Sequence, residues 1–310
     1  MGGTAVNKQD AALLRRVLGE EARDAVENLC GFFGCGPGAL SGFSLIPAGM
    51  TNRSFVFSFG GERYVYRHPG SGPERGIDRA REKRSLERAA ALGLDPSFLF
   101  ADAENGWKLS RCVPDFRLPD YDSPEDSVRV AAALRRLHAE QSPDIGLRPW
   151  EDAEALEREI GRLAPEKLEA LAPLGEALSP LYAEVKGDGV APCFCHGDAY
   201  RNNWMLTPQG ETLLIDWEYA GQADPGVDTG YYILDACWGP EESDAFLRLY
   251  LGEAYSERLR RHHLIYAALV GRYWVLWAQH RLLCGTDTAD YLARWKDSTE
   301  RWIHHLTSHN

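Results

Sequence analysis

The spacing of apolar positions changes twice along the 310-residue chain. Residues 10–30, including AALLRRVLGEEARDAVENL, place Leu, Val and Ala three and four apart, which predicts one amphipathic helix. The breaker GFFGCGPGALSG follows, and then the period drops to two. SFVFSF puts Phe55, Phe57 and Phe59 on one face, Gly60-Gly61 predicts a hairpin turn, and ERYVYR predicts the returning strand. Residues 78–92 read as a charged helix with Leu86, Ala89, Ala90 and Leu92 on its apolar side, stopped by Gly93 and Asp95-Pro96. Short apolar runs at 98–100 and 107–113 predict two more strands. From Ser123 onward the period is helical, in SVRVAAALRRLHAE and EDAEALEREIGRLA, and no internal repeat is visible. The change near Val113-Pro114 predicts a helical extension at 1–41, a strand-rich domain at 42–113 and a helical domain at 114–310.

Charge divides at the same place. Residues 1–113 carry 15 basic and 13 acidic side chains, whereas 114–310 carry 19 and 33, within a total net charge of −12. An acidic half of this size argues against nucleic-acid or anionic-membrane partners; it favours a cation or serves solubility. Seven of the nine Trp (Trp204, Trp217, Trp238, Trp274, Trp277, Trp295 and Trp302) lie beyond residue 200, in the acidic half. Acid with aromatic rings is what a cation pocket needs, although bulky core packing gives the same enrichment. The longest apolar stretch, 264–278, is interrupted by Arg272, so no membrane span is expected. The N-terminal Met-Gly-Gly-Thr-Ala-Val has no apolar secretory region, and seven Cys without scaffold spacing suit a reducing compartment. The expected location is the cytoplasm.

The densest chemistry lies in CFCHGDAYRNNWMLTPQGETLLIDWEYAG, residues 193–221. Residues 203–206 and 212–216 read as strands joined by Thr207-Pro208-Gln209-Gly210. Pairing Leu206 with Glu211 sets Asn203 opposite Leu214 and Asp216 opposite Arg201, so Asn203 and Asp216 share one end of the hairpin, with Asp198 in the loop leading there. Two carboxylates and an amide oxygen form an all-oxygen donor set suited to Mg²⁺. His-x-Asp, an Asn five residues on and a strand ending in Asp match the phosphoryl-transfer template. In that template Asp198 accepts a hydroxyl proton, while Asn203 and Asp216 hold Mg²⁺ on the phosphates of ATP. Cys193-x-Cys195-His196 hints at zinc, but no second Cys/His pair stands at finger spacing, and the two Cys read as buried strand residues. His304-His305 reads as a polar helix end, and no Gly-x-Ser-x-Gly elbow is present.

This stretch resembles the choline and ethanolamine kinase family, of the bacterial choline kinase type, within the aminoglycoside-phosphotransferase-like kinases. The resemblance runs from about Ile46 to Trp295. It implies an α+β, protein-kinase-like two-lobe fold, with a small antiparallel-sheet N-lobe, a mostly helical C-lobe and ATP in the cleft. In IPAGMTNRSFVFSFGGERYVYRHPG, residues 48–54 are similar to the family's phosphate-covering loop, with Gly49, Thr51 and Asn52 in it. Arg67 takes the place of its nucleotide-clamping base, and Glu82 in GIDRAREKRSLERAAALGL matches the acid that pairs with it. Residues 111–113 in WKLSRCVP resemble the connector whose backbone contacts adenine, which implicates Arg111 and Val113. LRRLHAE resembles a Leu-x-x-Leu-His helix, and Asp228 matches an Asp that orders the catalytic loop.

The acceptor is read from the pocket. Trp274 and Trp277 in YWVLW lie on one helix face, which by spacing alone is ordinary core packing. The resemblance adds Tyr219, Tyr291 and Asp235, so that Tyr219, Trp274, Trp277, Tyr291 and Asp235 would form an aromatic cage with one counter-ion around a quaternary ammonium. Gly197, where choline kinases commonly carry Asn, and the loop Ala199-Tyr200-Arg201-Asn202 depart from the family pattern. Arg201 would lie near the γ-phosphate or face solvent. The resemblance therefore implies an ATP- and Mg²⁺-dependent kinase of choline or a related amino alcohol. Ethanolamine, thiamine, an aminoglycoside or an inactive ligand-sensing kinase fold are the alternatives, and the oligomeric state is left open.

Overall fold

A computed structural model describes residues 5–47, 53–69 and 78–308. It divides into two compact units, one of Met1–Ala90 with Asp95–Pro114 and one of Ala91–Leu94 with Asp115–Asn310.

The first unit opens with two helices where the sequence predicts one: α1 (Lys8–Leu18) and α2 (Ala22–Phe33). Gly19 separates them at φ 62°, a left-handed backbone that no helix continues through. Strands β1 (Ser41–Ile46), β2 (Arg53–Phe59) and β3 (Glu62–His68), helix α3 (Arg79–Ala91), and strands β4 (Phe98–Ala101) and β5 (Lys108–Arg111) follow. The five strands form one antiparallel sheet in the order β1-β2-β3-β5-β4. Its hairpin closes through Gly60 and Gly61, both at positive φ, with Phe59 opposite Glu62. Phe55 and Phe57 are fully buried, and Leu14, Leu18, Ala25 and Leu29 of α1 and α2 share their core. Both helices are thus part of this unit's interior. Asp10 of α1 fastens them, accepting the N–H groups of Gly42 (2.9 Å) and Phe43 (3.0 Å).

The second unit holds α4 (Pro124–His138), α5 (Pro149–Leu163), α6 (Pro165–Gly187), β6 (Cys193–Cys195), β7 (Trp204–Leu206), β8 (Thr212–Leu214), β9 (Gly221–Ala223), α7 (Gly226–Ala236), α8 (Pro240–Leu251), α9 (Glu257–Leu283) and α10 (Ala289–Ser308). Ser123 caps α4 through the N–H of Asp126 at 3.3 Å. The 27-residue α9 is the axis of the core, buried along most of its length against α5, α6, α7 and α10. Helix α7 comes so close that a Cβ on Gly230 would lie 2.7 Å from the backbone nitrogen of Ala267. Arg272, the break in the apolar stretch, is buried; it donates to Glu157 at 2.7 Å and stacks 4.4 Å from the Trp150 ring. Among the described residues, no helix is long and apolar enough to cross a membrane.

Candidate active site

Strand β6 pairs antiparallel with β9 and delivers the chain to His196-Gly197-Asp198. This loop hangs from Asp228 in the first turn of α7. The buried Asp228 carboxylate accepts the N–H of His196 (2.8 Å) and of Gly197 (2.7 Å), and it meets Nε2 of His138 at 2.9 Å. Burial alone would raise its pKa, but the His138 hydrogen bond and the charges and N–H groups around it outweigh that and hold it below the usual carboxylate range. His196 accepts the Asp198 N–H at Nδ1 (3.1 Å), so its Nε2–H donates to the Ile215 carbonyl (3.0 Å). Burial lowers its pKa and keeps the ring neutral. Gly197 has φ +83°, and a Cβ there would sit 2.8 Å from the Tyr219 carbonyl oxygen. Glycine fits this close approach, which a side chain at 197 would crowd.

Asn203 ends the short 3₁₀ turn Arg201–Asn203. Its Nδ2 donates to both the carbonyl (2.8 Å) and the carboxylate (2.9 Å) of Asp198, which fixes the amide so that its oxygen faces away from Asp198. The β7–β8 register differs from the expected one by one residue. Leu206 pairs with Thr212, not Glu211, because residues 207–211 close their own turn, with the Thr207 N–H on the Glu211 carbonyl at 3.0 Å. Asp216 therefore leaves the ladder and adopts a left-handed φ of 73°, a conformation Asp tolerates and functional sites use. Its carboxylate and that of Glu218 lie within 4.8 Å of each other. The half-buried Asp198 carboxyl has its pKa raised well above the usual range, first by burial and then by the charges of Asp216 and Glu218. This crowd of oxygen donors fits a hard divalent cation, with Asn203 and Asp216 as ligands and Glu218 beside them. Glu218 was readable only as part of the acidic-aromatic run after Asp216.

Arg201 is already engaged. Its Nε donates to the Pro119 carbonyl at 2.7 Å and its guanidinium lies 6.0 Å from the centre of the Tyr121 ring. Its backbone N–H goes to Asp235 at 3.2 Å.

The expected cage residues do converge. Tyr219 lies edge-on to Trp274 at 5.6 Å, Trp274 to Trp277 at 5.4 Å, and Tyr291 reaches the same cluster through Trp295 at 5.0 Å. Trp274 is buried, with Tyr231 stacked on one face at 4.7 Å, so much of its ring is core; Tyr219, Trp277 and Tyr291 are only half-buried. Asp235, expected as the counter-ion of the cage, already has partners in this chain. Its Oδ1 meets Arg294 at 2.5 Å and the Trp295 indole at 3.3 Å, and its Oδ2 accepts the Tyr121 hydroxyl at 2.6 Å. Its negative charge is matched by a cation of the same chain, which itself lies 5.7 Å from the Tyr291 ring. Tyr231 was one turn before Asp235 in the sequence and in register with it; nothing in the sequence singled out Arg294.

In the first unit, Arg67 and Glu82 are both buried and form a two-pronged pair, Nη1 to Oε1 at 2.6 Å and Nη2 to Oε2 at 2.9 Å. Arg79 adds a second cation at 2.8 Å. Burial opposes ionisation of Glu82, yet the Arg67 charge and hydrogen bond prevail and bring its pKa down to about 2. At the end of β5 the Arg111 N–H is bound to the Ser97 carbonyl at 2.8 Å, and Val113 follows the strand. Gly49, Thr51 and Asn52 lie outside the described residues.

Residues 42–264 match the phosphotransferase enzyme family known as APH. The fold superposes on the choline kinase LicA from Streptococcus pneumoniae with a TM-score of 0.76 and 25% identity, covering 93% of this chain and 99% of that one. LicA in complex with AMP gives a TM-score of 0.69 at 24% identity, over 87% and 93% of the two chains. Protein LicA of Haemophilus influenzae strain Rd is 24% identical over an alignment of 284 positions that covers 83% of this chain and all of that one.

Proposed function

The chain belongs to the phosphotransferase enzyme family, and from that premise we propose that it transfers the γ-phosphoryl group of ATP to the hydroxyl of choline or a closely related amino alcohol. The observation that carries this reading is the Asn203 amide holding the Asp198 carboxylate at 2.9 Å in a loop suspended from Asp228. A carboxylate fixed at a loop tip can orient an acceptor hydroxyl and take its proton as the hydroxyl oxygen bonds to phosphorus, while the bond to the β-phosphate oxygen breaks and ADP leaves.

Asn203 and Asp216 would hold Mg²⁺, which when bound neutralises charge on the nucleotide phosphates. Arg67, oriented by Glu82, would hold phosphate oxygens, residues 48–54 with Gly49, Thr51 and Asn52 would cover them, and the backbone of Arg111 and Val113 would meet adenine. The choline kinase relative supports the acceptor, as do the half-buried faces of Tyr219, Trp277 and Tyr291 beside Trp274. Asp235 serves here as a positioning residue: it fixes the N–H of Arg201 and the side chains of Tyr121, Arg294 and Trp295.

The test is Mg·ATP-dependent ADP release with choline, ethanolamine, thiamine and one aminoglycoside, with product masses recorded and Asp198→Asn as control. Choline-selective turnover lost in the control is expected. Turnover selective for another acceptor would overturn the substrate, and ATP binding without any product would overturn catalysis.

A further inference from the structure

Cys193-x-Cys195 has no second Cys/His pair at finger spacing, but the fold brings a histidine to it from far upstream. His138, the last residue of α4, brings a ring nitrogen to the two sulfurs, and the three candidate ligand atoms all lie within 4.8 Å of one another. All three side chains are nearly sealed from solvent: Cys193 is 5% exposed, Cys195 1% and the His138 ring 5%. Alternation along β6 turns both Cys the same way, and their sulfurs are 3.6 Å apart. A tetrahedral zinc ion with Zn–S bonds of about 2.3 Å holds two thiolates roughly 3.8 Å apart, so this pair is close to coordinating geometry before any ion enters.

The surroundings of His138 complete the argument. Its Nε2 is tied to the buried carboxylate of Asp228 at 2.9 Å, and its Nδ1 meets the Tyr250 hydroxyl at 2.7 Å. A carboxylate on one imidazole nitrogen is the support that metal-ligating histidines use to free the other nitrogen for the ion. Two sulfurs and an imidazole nitrogen thus come together in one buried place, each within 4.8 Å of the others. Sulfur with nitrogen selects a soft d¹⁰ ion over Mg²⁺.

We infer that His138, Cys193 and Cys195 form a zinc-class metal site, with Tyr250 or water as fourth ligand, that cross-links the end of α4 to β6. Binding releases the two thiol protons to solvent and leaves no redox change. Because the ion binds the folded chain at groups brought together only by folding, it raises thermal stability.

The experiment incubates the purified chain with one equivalent of Zn²⁺ or Cd²⁺ under a reducing agent, removes loose metal by gel filtration, and measures retained metal and Tm. One ion retained per chain and a Tm rise of about 4 °C or more are expected, with both lost in Cys195→Ala and in Cys193→Ala. Wild-type protein also gives a readout that needs no variant. Bound Cd²⁺ should show thiolate charge-transfer absorbance, and mass spectrometry in partly denaturing urea should find Cys193 and Cys195 alkylated more slowly with the metal than without it, while Cys30, Cys35 and Cys284 react alike in both. Failure to retain metal overturns the site. So does retained metal that shields Cys284, which has His280 at 3.8 Å, or the Cys30–Cys35 pair instead.

Discussion

The side-chain amide of Asn203 grips Asp198 twice, at its carbonyl (2.8 Å) and at its carboxylate (2.9 Å). One residue thereby sets the loop's backbone and the direction of the acid it carries, and it keeps its own amide oxygen for another partner.

Asp198→Asn should lower turnover by about 10³-fold or more, because the proton acceptor is lost while its shape stays. The same change relieves repulsion with Asp216 and Glu218, so Tm should hold or rise. ADP release and calorimetric nucleotide binding check this together. Turnover within tenfold of wild type would remove Asp198 from the chemistry.

Asp228→Ala strands two backbone N–H groups and His138 in the interior. A loss on the order of 3 kcal/mol or more is expected, with kcat falling further than the affinity for nucleotide. In denaturant unfolding, Asp228→Ala/His138→Phe should cost less than the sum of the single changes, since the second removes one of the stranded donors.

Acid should loosen the Arg67–Glu82 pair. Glu82 has its pKa depressed to about 2 from 4.5, so its contribution is complete above about pH 4.5 and is lost as pH falls toward 2. Glu82→Gln should cost on the order of 3 kcal/mol at neutral pH, and the gap from wild type should narrow steadily below pH 4.5. A gap that does not change with pH in urea unfolding would show that the pair's charge contributes nothing.

Trp277→Leu and Trp274→Leu should behave differently. Trp277 is half-buried, and its loss should raise the choline KM by roughly 2- to 30-fold with little change in Tm, the range expected for one ring face. Trp274 is buried against Tyr231, so its replacement should also lower Tm by several degrees. Equal effects of the two on KM and Tm would place both in the core.

Much of this was readable in the chain because local chemistry and fold agree. Phe55 and Phe57 alternate into the core, Gly60-Gly61 turns the hairpin, and the His196, Asp198, Asn203 and Asp216 spacing assembles as one cluster. What was hidden depends on contacts distant in sequence or on local rules that packing overrides. Pro173 and Pro180 would ordinarily break a helix, yet both sit inside α6, which is held by buried Leu171, Leu174, Leu178 and Leu181. Gly19 splits the first helix through a single left-handed residue, and the self-closing 207–211 turn moves a register that strand counting set one residue off. Arg294 neutralises Asp235 from another helix, and no spacing rule could announce it.

Asp228 and Asp235 are seven residues apart on α7, two turns of the same face, and they fasten opposite ends of the loop that carries Asp198, at His196-Gly197 and at Arg201. The loop is thus a stiff span between two piers of one helix, and α7 is wedged against α9 at Gly230. Gly230→Ala, remote from any reacting atom, should shift that helix and lower kcat while leaving nucleotide affinity unchanged. The rings proposed to meet the acceptor, Trp274 and Trp277, stand on α9, so the acid's alignment and the acceptor's fit rest on two helices locked together at Gly230 and at the Tyr231–Trp274 stack.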